Sequence, residues 1–292
     1  MFNRIKRILK RLRKNYINFK WSLKNAIFNY PQFSEVELID WLKNQGIKKG
    51  DTVFVHSSWD RFTHFTGTPK SLIVALLEFL GESGTLAMPA FPLDQDPNKV
   101  FSVTKTVSGA GYITEIFRRW EGVERSINLN HSVCAYGTNA NYLVKDHHKS
   151  LTTWDENSPY FRLKNVDAWI VGLGVGHNLK VATALHCADS ILCREIVFFR
   201  QLFAHKTTYK YQDKNGNYGI HTYYHRLGGL IYPRQISRRL SKTKLREGYI
   251  SNLEIYAIPA DYLIDNAIEL GRGGVTVFIV PIPWPWKFKK IR

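Results

Sequence analysis

The stretch Trp169–Asp189, WIVGLGVGHNLKVATALHCAD, constrains this chain more than any other. Trp169 to Val171 is an apolar run of the kind that fills a strand buried on both faces. Gly172, Gly174 and Gly176 then alternate, which permits a tight turn and a close approach of backbone to a ligand. Ala182 to Cys193 has the composition of a helix and carries His186 and Asp189 one turn apart. Positions i and i+3 share a helix face, so the imidazole and the carboxylate can meet. Strand, glycine turn, then a helix bearing His and an acid is an active-site layout. It is equally the pattern of a buried strand followed by a core histidine. A dinucleotide site is disfavoured, because the Gly-x-Gly-x-x-Gly spacing is missing.

At 292 residues the chain has ample material for one large domain or two small ones. Three cysteines, Cys134, Cys187 and Cys193, are odd in number and set in apolar surroundings, which predicts a reducing compartment and no disulfide framework. The N-terminus lacks the uninterrupted apolar core of a signal peptide, and no apolar run approaches the roughly 20 residues of a spanning helix. The expectation is a cytoplasmic protein, peripheral on the cytoplasmic face of an inner membrane.

The membrane part of that expectation comes from where the charge lies. The formal net charge is +17, but residues 1–25 hold nine basic residues and no acid, and Lys287, Lys289, Lys290 and Arg292 add four more. Only +4 is left for the body. Phe2, Ile5, Ile8, Leu9, Leu12, Tyr16 and Phe19 recur at three- and four-residue steps between the N-terminal cations, the pattern of a basic amphipathic helix in an anionic interface. Trp284, Trp286 and Phe288 beside the C-terminal cations suit headgroup depth. A helix docked on the body, or an arm on nucleic acid, has the same composition.

Along the body, Ser34 with Glu37 makes a capping-box start for a helix to about Asn44. Asp51–His56 reads as a strand, Thr68-Pro69 opens a helix to Leu80, and Gly84–Ala90 is the next strand. A long loop, 91–109, carries Asp94 and Asp96. Gly111–Trp120 reads as helix and Ser132–Tyr136 as strand, and Thr138 as the cap of a helix into Lys145. The alternation predicts an α/β layered domain, a mostly parallel sheet with helices on both faces. From Glu195 the texture becomes β-branched and aromatic, with Asn215-Gly216 as a hairpin signal, so a β-rich C-terminal elaboration is expected. A helix near 234–246, a strand at 253–258, a helix at 260–270 and a closing strand at 275–280 complete it.

Several short motifs then combine. GDTVFVHSSW is followed by a G-x-P helix and GESGTLAMPAF, then by Gly109–Phe117, Arg118-Arg119 and GVERSINLNHSVCAYG around His131. Asp146-His147, SPYFRL, GLGVG and TALHCAD close the series. In this order and spacing the chain resembles the aminoglycoside 3-N-acetyltransferase family, the antibiotic N-acetyltransferase fold, over about Ser34 to Asp189. The resemblance implies transfer of acetyl from acetyl-CoA to a sugar amine, with no metal. It places His56, Ser57 and Ser58 along the coenzyme, with Val107, Ser108 and Gly109 on the same side, and the family's catalytic histidine on His186. Asp189 stands where the family has glutamate, and Ala182 where asparagine is usual. The span from Gly176 to His186 is two residues longer.

These residues can supply the chemistry. A histidine near its ordinary pKa of about 6.5 can take the proton of an attacking amine at neutral pH, Asp189 can orient it, and backbone N–H groups of the Gly- or Ser-rich turns are candidate oxyanion donors. His131 either assists or hydrogen-bonds within the core. Asp94 and Asp96 either contact a cationic amine or are solvated loop acids. Cys187 points away from His186 and is no nucleophile. His221 and His225 raise zinc, but a surface hairpin is the better reading.

The expected organisation is a basic segment over 1–30, an acetyltransferase domain over 31–281 and a basic aromatic tail over 282–292. The expected function is an acyltransferase acting on an amino sugar of a nucleotide- or lipid-linked precursor of a bacterial surface polysaccharide. Alternatives are an aminoglycoside 3-N-acetyltransferase conferring resistance, and a non-enzymatic binding protein. The expected partners are the amino-sugar or sugar-nucleotide substrate and an anionic membrane surface, without nucleic acid and with a homo-oligomer left open.

Overall fold

The computed structural model describes Phe19, Leu23 and residues 27–278 and 289–291. The basic amphipathic segment and the C-terminal tail therefore lie almost wholly outside the described residues.

The first helix, α1 (Glu35–Asn44), starts as its sequence demands. The Ser34 hydroxyl caps the Val36 N–H, and Glu37 accepts from the Ser34 N–H at 2.8 Å. Strand β1 (Thr52–Ser57) follows, then α2 (Pro69–Leu80), where Thr68 accepts from the Ser71 N–H at 3.0 Å. Next come β2 (Thr85–Pro89), the short β3 (Phe101–Ser102), α3 (Tyr112–Arg118), β4 (Glu124–Arg125) and β5 (Val133–Gly137). Helices α4 (Ala140–Val144) and α5 (Pro159–Arg162) lead to β6 (Trp169–Leu173). Beyond it lie α6 (Cys187–Leu192), α7 (Val197–Leu202), the hairpin β7 (His205–Gln212) and β8 (Tyr218–His225), α8 (Arg234–Ser237), β9 (Arg246–Ile250), β10 (Leu253–Pro259) and α9 (Ala260–Arg272).

Seven strands form the main sheet in the order β4-β5-β2-β1-β6-β10-β9. Alternate strand residues enter two different hydrophobic clusters. Val53, Val55, Met88 and Val171 pack with α1, α2 and α3, while Phe54, Ala87, Ile170 and Tyr256 pack with α4, α6, α7 and α9. The sheet is thus buried on both sides, which is why its strands read as nearly continuous apolar runs.

That same burial hides strand direction. The expected mostly parallel sheet is realised only at the centre, where β1 pairs in parallel with β2 and β6. Four flanking pairings, β2-β5, β5-β4, β6-β10 and β10-β9, are antiparallel, so the sheet is mixed. The β-rich C-terminal part is not a separate elaboration either. Strands β9 and β10 complete the main sheet, and the β7–β8 hairpin pairs in parallel with β3 of the long loop, Phe101 opposite Tyr211.

Local expectations failed where packing overrides propensity. VFFRQLF folds as α7, burying Phe198 and Phe199 against the core. Thr138 sends its hydroxyl to the Glu82 carbonyl and leaves the N-cap position of α4 to Asn139. The helix expected over 182–193 is split into a 3-10 turn, Thr183–His186, and α6. The helix expected over 234–246 stops at Ser237. Residues 275–278 form no strand beyond a bridge from Phe278 to Ile231, and 279–280 lie outside the described residues.

Two glycines of the GLGVG turn are required by geometry. A Cβ on Gly172 would stand 2.0 Å from the Tyr256 ring, which lies across it from β10. Gly174 has φ +68°, a left-handed conformation that favours glycine.

Candidate active site

The chain leaves β1 and returns to neighbours on both sides of it, β2 first and β6 later. Such a switch of direction opens a crevice beyond the carboxyl ends of the strands. A cleft of about 300 Å³ lies there. His56 and Ser57 reach it from the end of β1, Pro89 from the end of β2, and Val175 from the turn after β6. His131 joins them because β5 runs antiparallel to β2, with Val133 opposite Pro89, so the start of β5 meets the end of β2. The 3-10 turn and its approach contribute Lys180, Val181, Thr183 and His186.

His186 and Asp189 meet as their spacing predicts: Nδ1 lies 3.0 Å from Asp189 Oδ2. The Asp189 side chain is 3% exposed and that of His186 13%. A carboxylate on Nδ1 fixes the proton there and leaves the lone pair on Nε2. Burial pulls the His186 pKa below its ordinary value, the Arg226 guanidinium adds to this, and the Asp189 hydrogen bond and charge oppose both. The ring is therefore neutral at neutral pH, the state a proton acceptor needs.

Two members of this group were invisible in the sequence. Arg226, one residue past β8, places Nη1 3.4 Å from the same Asp189 oxygen. Trp154 fills the space between the charged groups. Its ring lies 5.0 Å from that of His186, 5.0 Å from that of His131 and 5.2 Å from the Arg226 guanidinium. No local signal marks either residue; both arrive through long-range packing.

The other sequence candidates divide. His56, His131 and Ser57 line the cleft, whereas Ser58 does not, and its N–H is bound to the Leu173 carbonyl. Val107, Ser108 and Gly109 do not line it either, although the adjoining Ala110 does. The Ser108 N–H goes to Glu115, that of Gly109 to the Phe91 carbonyl and that of Ala110 to the Ser108 hydroxyl. Glu115, also held by Arg118 and Arg119, has its carboxyl lowered to about 2 despite partial burial, which keeps this loop clamp charged. Asp94 and Asp96 stand outside the cleft lining. Asp94 pairs with Lys99 at 2.6 Å and Asp96 accepts from Asn98.

Two further readings are resolved by burial. His221 is no surface hairpin residue: it is 3% exposed, with Nδ1 on the Tyr209 hydroxyl and Nε2 on the Ser150 carbonyl. Cys187 is fully buried and its thiol is pushed well above its ordinary value, which leaves it inert.

A switch-point cleft holding a neutral, acid-oriented histidine is a site fitted to accept a proton. The aminoglycoside 3-N-acetyltransferase profile matches residues 54–271, and the chain belongs to this family. It is 31% identical over 159 residues to aminoglycoside N(3)-acetyltransferase IV of Salmonella sp., an alignment covering 54% of this chain and 59% of that protein. The chain thus spans about three-fifths of the length of the curated relatives it matches. Among solved structures, a variant of the aminoglycoside acetyltransferase AAC(3)-IVa in complex with a gentamicin superposes with a TM-score of 0.71 at 25% identity, covering 87% of this chain and 93% of that one. AAC-IIIb as a binary complex with CoASH has the same fold, with a TM-score of 0.69 at 19% identity over 84% of this chain and 98% of that one.

These likenesses overturn the expected polysaccharide-precursor substrate. The relatives carry aminoglycoside acetyltransferase names, and none points to a nucleotide- or lipid-linked sugar. The error had a physical source: charge at the two ends of the chain says nothing about acceptor choice in a cleft that, among the described residues, is lined by the body alone.

Proposed function

We propose that this protein transfers acetyl from acetyl-CoA to a primary amine of an aminoglycoside. The observation that carries the reading is the His186–Asp189 pair, buried at the wall of the switch-point cleft with Nε2 left unclaimed by the carboxylate.

In this reading the cleft takes the reacting ends of both substrates. Ser57 and His56 at the mouth of β1 lie beside the thioester arm. Nε2 of His186 removes the amine's proton as nitrogen attacks the carbonyl carbon. Asp189 holds the ring and offsets the charge of the imidazolium, and Arg226 holds Asp189. Well-placed base catalysis of this kind contributes roughly 10²–10⁴-fold. Asp94 and Asp96 remain the proposed contacts for the acceptor's other ammonium groups. Their loop is tied by Gln95 to the Asn130 carbonyl at 2.9 Å, next to His131, and Phe91 at its start packs on the His131 ring.

A peripheral membrane location is a separate proposal, supported by the basic ends and by Phe19, Leu23 and Ile27. These three helical residues are exposed at four-residue spacing.

The test is release of CoA thiol from acetyl-CoA with gentamicin, apramycin and sisomicin as acceptors, with mass spectrometry of the products. A mass gain of one acetyl group per acceptor molecule, carried on an amine, supports the reading. No turnover of any acceptor, together with no thermal shift on adding acetyl-CoA, overturns it.

A further inference from the structure

Attack of an amine on a thioester pushes an electron pair onto the carbonyl oxygen, and a transferase needs donors aimed at that oxygen. Several amides of the turns that look suited to this from sequence are already spent. The N–H groups of Ser58, Ser108, Gly109, Ala110 and Gly174 are all committed, to Leu173 O, Glu115 Oε2, Phe91 O, Ser108 Oγ and Glu254 O.

The cleft lining itself offers another source. Among the described residues that line it, only His56 and His131 have a buried polar side-chain atom without a hydrogen-bond partner: Nε2 of His56 and Nδ1 of His131. Leaving such an atom unpaired costs about 1–3 kcal/mol, and both atoms belong to rings that line the same cleft. Both rings are held from behind by aromatic packing. His56 lies against Phe54 at 5.1 Å, and His131 against Trp154 at 5.0 Å and Tyr160 at 6.2 Å.

We infer that the imidazole N–H groups of His56 and His131 form the oxyanion hole of this enzyme. The inference rests on the acetyl-transfer reading above and gives these two residues a role distinct from that of His186. Both rings stay neutral. Burial lowers His56 to about 3, and burial together with the nearby His186, Arg226, His147 and His56 holds His131 well below its ordinary value. A neutral imidazole keeps one N–H to donate and, unlike imidazolium, does not give its proton to the oxyanion.

Atoms and charges balance through the step. The amine nitrogen bonds to the thioester carbon, and the carbonyl π pair moves to oxygen between the two N–H groups. The amine proton goes to His186 Nε2. The pair then returns, the C–S bond breaks, and the departing sulfur takes the proton from His186. The products are the amide and CoA thiol, with both donors unchanged.

The experiment compares His56→Leu and His131→Leu with His56→Gln and His131→Asn, whose side-chain amides return a donor near Nε2 and Nδ1 respectively. Each leucine variant should lose about 10²–10³-fold in kcat, with the KM for acetyl-CoA changed by no more than about threefold. The acid limb of the pH profile should stay in place, because the base is untouched. Glutamine or asparagine should recover at least about tenfold of the loss. Leucine variants within about threefold of wild type overturn the inference, as do amide variants no faster than the leucine ones at equal melting temperature. If the leucine variants do not fold, the infrared carbonyl stretch of ¹³C-acetyl-CoA bound to the His186→Ala protein decides: a shift to lower frequency than in solution supports the donors, and an unshifted band overturns them. Wild-type protein that turns over no acceptor and shows no thermal shift with acetyl-CoA refutes the acetyl-transfer reading instead.

Discussion

Asp189 Oδ2 accepts from Arg226 Nη1 at 3.4 Å while it holds His186 Nδ1 at 3.0 Å. One carboxylate oxygen thus couples the proposed base to a cation from the far end of the hairpin. Asp189 draws a proton toward His186 and Arg226 repels one, so the two neighbours act on the same ring in opposite directions.

His186→Gln should therefore abolish turnover, by about 10²-fold or more, with acetyl-CoA binding retained. Single-turnover kinetics with a thermal-shift control for acetyl-CoA checks this. Residual activity above about a tenth of wild type would rule out His186 as the base.

The opposing effects of Arg226 and Asp189 can be separated by pH. His186 works as the neutral base, and burial with Arg226 places its pKa below the ordinary value, so the acid limb of kcat/KM should lie below about pH 6.5. Arg226→Met removes a cation and should move that limb upward. Asp189→Asn removes the charge that favours imidazolium and should move it downward while lowering kcat. Limbs that coincide in both variants would mean that neither group acts through His186.

Stability should fall on mild acidification. His56 and His147 are buried with folded pKa values of about 3, against about 6.5 when unfolded. Between those values the unfolded chain binds more protons, so stability is full above pH 6.5 and is lost as pH falls toward 3. The slope is up to about 1.4 kcal/mol per pH unit for each histidine. Urea midpoints at pH 7.5, 6 and 5 should decline in that order, and an unchanged midpoint at pH 5 would contradict the burial of these two rings.

Gly172→Ala should destabilise by about 1–3 kcal/mol, because its Cβ would enter the Tyr256 ring at 2.0 Å in a sheet centre with no room to shift. Chemical denaturation gives the number. A loss below about 0.5 kcal/mol would mean that β6 and β10 can part more easily than their pairing implies.

Deleting residues 1–25 should abolish co-sedimentation with anionic vesicles while leaving turnover of a soluble acceptor intact. The segment carries nine cations, each worth about 1 kcal/mol near an anionic leaflet. Unchanged sedimentation after the deletion would remove the membrane proposal.

Local chemistry was legible from residue order alone. Ser34 caps its helix with Glu37 three residues on, Thr68-Pro69 opens the next helix, Asn215-Gly216 turns a hairpin, and His186 meets Asp189 because one helical turn brings them together. The ordered motifs likewise carried the family. Each of these rests on short spacing or on a linear pattern, which a chain displays before it folds.

Only the tertiary structure decided what depends on distant segments. Strands buried on both faces carry the same apolar code whichever way they run, so direction came from which strand ends the packing brings together. The antiparallel return of β5 is what sets His131 beside the end of β2, and the end of the hairpin is what delivers Arg226 to Asp189 from 37 residues away. The fate of each backbone N–H is equally non-local: the amides of Ser58, Ser108 and Gly109 look free in sequence and are spent on Leu173, Glu115 and Phe91 once the chain closes. A hydrogen-bond partner is a fact of three dimensions, which residue order alone does not display.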